Sequence, residues 1–200
     1  MEKDLKSMSN EELWALFPII LKEHNPEYAR WYLEEKLNIM RIVKEENIER
    51  INHIGSTSVQ GLVAKPTIDI LLEIRKRCDS NFLIHLLENN EYIFFPQPDN
   101  PPPHMMFMKG YTLKGFAERV FHLHVRYLGD WNELYFRDYL LTHANVAEKY
   151  GRLKERLKKE YEHDRDKYTE AKTEFIMHYT NIASKLYAGR YDLEGKCCGR

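Results

Sequence analysis

The segment Thr67 to Ile74 limits most strictly what this chain can fold into. Ile68, Ile70, Leu71, Leu72 and Ile74 make a nearly continuous apolar run, the pattern of a strand covered on both faces, and only Asp69 and Glu73 break it. A carboxylate in such a strand carries a desolvation cost unless it meets a cation, a hydrogen-bond donor or the strand's accessible end. Asp69 is therefore the first residue at which chemistry is expected, with Lys65 or a histidine as its partner.

The neighbouring elements follow from turn and cap residues. Ile48 to Ile54 reads as a strand ending at Gly55, and the polar run Gly55-Ser56-Thr57-Ser58 separates it from the next strand, which Pro66 opens. Ser9 with Glu12 forms a capping-box pattern for a short helix stopped by Pro18, and Pro26 begins a helix over 27–46. Asp79 caps a helix near 82–87, and Tyr92 to Phe95 is a strand halted by Pro96. The proline-rich stretch 98–103 is a loop. Met105 to Met108 and Val120 to Tyr127 are further strands, with Lys109-Gly110 suggesting the turn of a hairpin. From Trp131 onward proline is absent and apolar residues recur at helical spacing, and Phe175, Ile176, Tyr179, Ile182, Ala183 and Leu186 give a last helix its packing face before Gly189. The expected fold is α+β: a mixed sheet of four to five strands packed with helices, in one domain over 1–200, with 131–188 as a helical C-terminal extension.

A chain of 200 residues with 43% hydrophobic content can bury a full core. Its net charge of -1 gives no general attraction to nucleic acid or anionic membrane, so nucleic acid is a disfavoured partner and any anion site is local. With no apolar run of about 18 residues and a charged start without an apolar h-region, a cytoplasmic protein without a membrane partner is expected. Cys78, Cys197 and Cys198 fit neither a disulfide framework nor a zinc site and read as reduced thiols. The basic run Lys149, Arg152, Lys154, Arg156, Lys158 and Lys159 is interleaved with Glu148, Glu155, Glu160 and Glu162, which reads as a solvated helix face.

In the stretch His53 to Ile70, glycine allows a close backbone approach, Ser56 and Thr57 add hydroxyl donors, and successive amides can form an anion-binding nest beside Lys65. An ordinary Gly-Ser turn before a strand is the bland alternative. His122 and His124 share one face of their strand and, with Asp69, could make a two-histidine, one-carboxylate metal site, with His53 as a further candidate. They could equally hydrogen-bond as neutral imidazoles in a polar cleft, contact phosphate or act as acid and base. Arg119 and Arg126 flank that strand as phosphate forks or as surface arginines. Arg137-Asp138 reads as a salt bridge or helix-packing pair.

The continuous pattern from His53 through Gly55-Ser56-Thr57-Ser58, Gly61-Leu62, Lys65-Pro66 and Ile68-Asp69-Ile70, then His122-Leu123-His124-Val125 and Phe136-Arg137-Asp138-Tyr139-Leu140, resembles the GrpB family over about 26–183. The resemblance implies a nucleotidyltransferase-like fold of the polymerase-beta superfamily. In active members of that superfamily a Gly-Ser turn holds nucleotide phosphates, and acids on the next strand bind two divalent metals. Gly55 and Ser56 match the turn and Asp69 matches one acid. The usual second acid lies two positions away, about 6.6 Å along the strand, where this chain has Thr67 and Leu71. Glu73 is four positions away, about 13 Å, and is too distant to share one metal with Asp69.

The resulting expectation is a nucleotidyltransferase that binds a nucleoside triphosphate or another phosphorylated small molecule with a divalent cation. Magnesium or manganese is the expected ion, with zinc or iron as alternatives because imidazole suits them better. Asp69 and His124 are the catalytic candidates. Gly55, Ser56, Thr57, Lys65 and Arg119 are the nucleotide contacts, and Asp69, His122 and His124 the metal ligands. A non-catalytic binding or interaction module that lost the acid pair and a hydrolase with a His/Asp transition-metal site are the rivals. Acceptor and oligomeric state stay open.

Overall fold

The computed structural model describes residues 5–97, 99–100 and 103–191. Cys197, Cys198 and part of the proline-rich loop lie outside the described residues.

Helix α1 (Asn10–Leu16) starts at the expected capping box: Glu12 N–H donates to Ser9 Oγ at 3.3 Å and Ser9 N–H to Glu12 Oε2 at 2.9 Å. Helix α2 (Glu27–Val43) ends three residues before the expected boundary, because Lys44 takes φ +66° and the chain turns there. Strands β1 (Ile48–Ile54) and β2 (Thr67–Ile74) fall where the hydrophobic pattern places them. Helix α3 (Ser80–Glu88) is capped by Asp79, whose carboxylate accepts from the Asn81 and Phe82 amides. Strands β3 (Ile93–Pro96), β4 (Met105–Thr112) and β5 (Gly115–Tyr127) complete a mixed sheet of order β1-β2-β5-β4-β3. Pro96 is tolerated because β3 is an edge strand.

The β4–β5 hairpin turns at Leu113-Lys114, not at Lys109-Gly110. Gly110 sits inside β4 at φ +87°, where the register shifts between Lys109 and Tyr111. A Cβ there would run into the Arg119 carbonyl, so the glycine serves a bulge.

The only parallel pairing among the described strands is β2 with β5, and it sets Asp69 opposite His122 and Leu71 opposite His124. Alternation divides β2 between two surroundings. Ile68, Ile70, Leu72 and Ile74, with Phe121, Leu123, Val125 and Phe107, pack into the main core beneath α2 and α3. Asp69, His122 and His124 point to the other side, which the helical C-terminal part covers: α4 (Asn132–Thr142), α5 (Ala144–Tyr161), α6 (Arg165–Glu170) and α7 (Thr173–Leu186). Ile182 and Leu186, expected on the packing face of α7, are 38% and 58% exposed, while Ala183 is fully buried. The inward stripe of α7 is thus narrower than its apolar residues suggest. Among the described residues no helix is long and apolar enough to cross a membrane.

Arg137 and Asp138 form the expected packing pair. Arg137 donates to Asn52 Oδ1 at 3.2 Å and the His53 carbonyl at 3.0 Å, while Asp138 Oδ2 accepts from Arg190 at 2.8 Å and the Tyr191 hydroxyl at 2.5 Å. The pair ties α4 to β1 and to the chain beyond α7. Glu73, fully buried, is bonded by Arg50 and by the Gly129 amide at 3.1 Å, so it takes no part in an acid pair with Asp69.

Candidate functional site

A cleft of about 870 Å³ opens between the Gly55-Ser56 turn, the β2 and β5 strands and helices α4 to α7. Gly55 has φ +70°, and a Cβ built on it would lie 2.9 Å from Asp69 Cγ and nearer still to Oδ2. Only glycine lets the turn close over the carboxylate. His122 Nδ1 is 3.1 Å from Asp69 Oδ1, and His124 Nε2 is 3.9 Å from the same oxygen. On its far side, His122 Nε2 is 2.7 Å from the buried Tyr111 hydroxyl.

Positive charge surrounds this carboxylate. Lys65, Arg165 and Lys172 line the cleft with Ser56. Lys154, 3% exposed, donates from Nζ to Ser56 Oγ at 2.9 Å and to the Val63 carbonyl, fixing the turn from below. Burial pushes Lys65 and Lys154 down to about 7 and Lys172 to about 8, and Arg165 adds to the effect on Lys65 and Lys172. Asp69 is the acid that opposes the shift of all three lysines. Burial works to raise the Asp69 pKa, but hydrogen bonds and charge from His122 and His124 outweigh it and hold the acid below the usual carboxylate range. Burial lowers the His122 pKa against the pull of Asp69. Asp130 and Glu133 also line the cleft, Glu133 lying 3.8 Å from Arg126, but of the cleft's acids only Asp69 acts on the lysines, and the cations on its side of the cleft suit an anion.

The donor set bears on the divalent cation that the resemblance implied. One ligand atom each from Asp69, His122 and His124 lies within 4.8 Å of the others. The Tyr111 hydroxyl can donate to His122 Nε2 while Nδ1–H donates to Asp69, or accept from Nε2–H and leave Nδ1 free to bind a cation. Two imidazoles and one carboxylate fit zinc, iron or manganese better than magnesium, which prefers oxygen ligands.

Of the residues expected to contact nucleotide, Gly55, Ser56 and Lys65 line the cleft. Thr57 does not. It is buried, donating to the Thr67 carbonyl at 3.0 Å with His53 Nε2 at 3.0 Å, so its hydroxyl holds the turn to β2. His53 stacks on Tyr32 beneath α2, because it pairs with Ile70 and shares that face of the sheet. It is thereby separated from Asp69, His122 and His124. Arg119 pairs with Glu34 at 2.5 Å and lies over Trp31, outside the cleft. Arg126 is buried, donating to the Val125 carbonyl at 3.1 Å and lying over Trp131.

Tyr111, Arg165 and Lys172 escaped sequence reasoning, and Lys154 was read as solvated. Lys154 had a signal: it lies four residues after Tyr150 and three before Leu157, inside the apolar stripe of α5. Lys172, at the start of α7, carried none. Thr180 was also missed; it lines the cleft, is 5% exposed, and its Oγ1 has no hydrogen-bond partner.

The mixed sheet, with a Gly-Ser turn after its first strand and an acid on its second, fits the nucleotidyltransferase-like expectation. Residues 18–181 match the family model described as GrpB protein, and the chain belongs to the GrpB family. It is 31% identical over 175 residues to UPF0157 protein YqkA of Bacillus subtilis (strain 168), covering 86% of this chain and 49% of that protein. It is 31% identical to the glutamate-rich protein GrpB of Alkalihalophilus pseudofirmus, covering 79% of this chain and 91% of that one. The chain spans about half the length of YqkA and of UPF0157 protein PA4798 of Pseudomonas aeruginosa, which matches 52% of its length. A crystal structure of conserved protein GrpB from Enterococcus faecalis superposes with a TM-score of 0.74 at 29% identity, over 84% of this chain and 99% of that one.

Proposed function

We propose that the cleft binds a nucleoside triphosphate or a related phosphorylated small molecule, and that the protein is a cytoplasmic nucleotidyltransferase acting with a divalent cation. The observation that carries this reading is the set of cations on the Asp69 side of the cleft, Lys65, Arg165, Lys172 and the Ser56-bound Lys154. Lysines and arginine supply point charges and a planar donor fork for phosphate oxygens. Gly55 and Ser56 bring the backbone within reach of the same group. Asp69, His122 and His124 are the residues to hold the cation, which when bound neutralises phosphate charge and polarises the phosphoryl group. His124, open to the cleft, can act as base only while Asp69 and His122 hold the cation without it; its free ring nitrogen would then take the proton of the acceptor hydroxyl as the hydroxyl oxygen bonds to the α-phosphorus and pyrophosphate leaves. Imidazole is the side chain suited to that proton transfer near neutral pH.

A second reading has its own support. The Asp69, His122 and His124 cluster also suits a hydrolase with a transition metal that activates water.

The test is metal analysis of the purified protein, then thermal-shift titration with ATP, GTP, CTP and UTP with and without manganese or magnesium. Saturating, cation-dependent stabilisation that Asp69→Asn abolishes supports nucleotide recognition, because a ligand of the folded state raises stability by mass action. Pyrophosphate release with an added acceptor extends this to transfer. Nucleotide binding without turnover points to a binding module. Stoichiometric zinc or iron with no nucleotide response overturns the transferase reading in favour of the hydrolase.

A further inference from the structure

Beside the cationic cleft lies a second, smaller space of about 290 Å³, between α1 and the β3–β4 edge of the sheet. Met106, Arg165 and Thr169 line both spaces, so the two are neighbours across a shared wall. The smaller one is built of rings and thioethers: Trp14, Phe17, Phe95, Tyr111 and Met108. Phe17 and Tyr111 pack edge to face, their centroids 4.8 Å apart. Among the described residues Trp14 packs against no other aromatic ring, although it is half-buried in this space. Asn10, Gln97 and Asp166 also line the space.

Tyr111 joins the two spaces chemically. Its ring forms part of the aromatic space, while its hydroxyl meets His122 of the acidic cluster at 2.7 Å. Arg165 stands at the junction, its guanidinium 6.0 Å from the Tyr111 ring centroid. A ligand anchored by an anionic group on Arg165 therefore has an aromatic slot directly alongside. The volume, just below the range of roughly 300–1,000 Å³ for whole ligand sites, suits one planar ring system rather than a whole ligand. Aromatic and methionine side chains favour a flat, polarisable ring, and amides can hydrogen-bond to the edge of a nucleobase.

Resting on the phosphate-binding reading of the cleft, we infer that this aromatic space is a nucleobase subsite, in which Trp14 stacks on the base and Asn10 and Gln97 reach its polar edge. The ligand class is thereby narrowed from phosphorylated small molecules in general to nucleotides whose base leaves the cleft past Arg165 towards α1.

The experiment separates the two halves of the ligand. Binding of the four ribonucleosides and, independently, of inorganic tripolyphosphate is followed by ligand-observed NMR for the full chain and for Trp14→Ala and Phe95→Ala. Helix α1 buries no residue, so Trp14→Ala leaves the core intact, and unchanged tripolyphosphate binding by both variants checks the fold. The expected result is millimolar nucleoside binding weakened at least tenfold in both variants, with tripolyphosphate unaffected. Tripolyphosphate binding without any nucleoside binding overturns the base subsite and leaves the phosphate reading standing. Nucleoside binding lost in Trp14→Ala without tripolyphosphate binding upholds the subsite and removes the phosphate reading. Absence of both overturns both, as does nucleoside binding that neither variant weakens for the subsite alone.

Discussion

The Asp69 carboxylate occupies the space that a Gly55 side chain would fill. Turn and acid are thus one device: the glycine takes φ +70° and the acid lies against its backbone, where His122 and His124 reach it.

Gly55→Ala is therefore expected to cost about 1–3 kcal/mol and to displace Asp69, with loss of cation-dependent ligand binding. Gly61→Ala is the matched control, since Gly61 has φ +77° and nothing within 4 Å of its absent Cβ. Urea unfolding of both variants separates backbone strain, common to the two, from the collision with Asp69. Equal losses with binding intact would refute the coupling.

Stability should rise with pH above neutrality. Lys154 falls from 10.5 to about 7 on folding, so between those values the unfolded chain holds more protons than the folded one. The cost of burying its charge is full below about 7 and is relieved towards 10.5, by at most about 1.4 kcal/mol per pH unit for each such lysine. Lys154→Met should flatten this slope in urea unfolding across that window. An unchanged slope would mean that Lys154 keeps its proton throughout.

Anion binding should take up protons. Lys65, near 7 in the free protein, regains its charge when a phosphate replaces the repulsion of Arg165 and the low-polarity surroundings. Affinity for tripolyphosphate is then flat below about 7 and falls as pH rises above it. Calorimetry in buffers of different ionisation heat measures the uptake directly, and Lys65→Met should reduce it.

Two arginines should behave in opposite ways. Arg119→Ala removes an exposed pair with Glu34, worth about 1 kcal/mol or less, and leaves phosphate binding unchanged. Arg137→Ala leaves Asp138 to Arg190 and Tyr191 alone and releases the Asn52 and His53 contacts that tie α4 to β1, at a cost of about 1–3 kcal/mol. Thermal and urea unfolding check both.

Much of the sheet was legible because hydrophobic pattern and turn chemistry agree. The β1 and β2 boundaries follow from apolar runs ending at Gly55 and starting after Pro66, and Asp69 stood out as a charge in an apolar strand. What was not legible depends on register and helix rotation. Glu73 resembles Asp69 in the sequence, but only the β1–β2 pairing reveals Arg50 as its partner. Arg119 and Lys154 were assigned to each other's surroundings: the first borders the strand of the site yet faces α2, the second sits in a charged run yet turns inward. The Lys109-Gly110 pair has turn chemistry, but β4 uses it for a bulge.

The division of β2 between two faces has an evolutionary consequence. Sliding the strand by one residue would press Asp69 among the apolar side chains under α2 and α3 and turn Ile68 and Ile70 into the cleft. An insertion or deletion within 67–74 would therefore destroy scaffold and site together, so length variation among descendants of this chain has to be absorbed outside that strand.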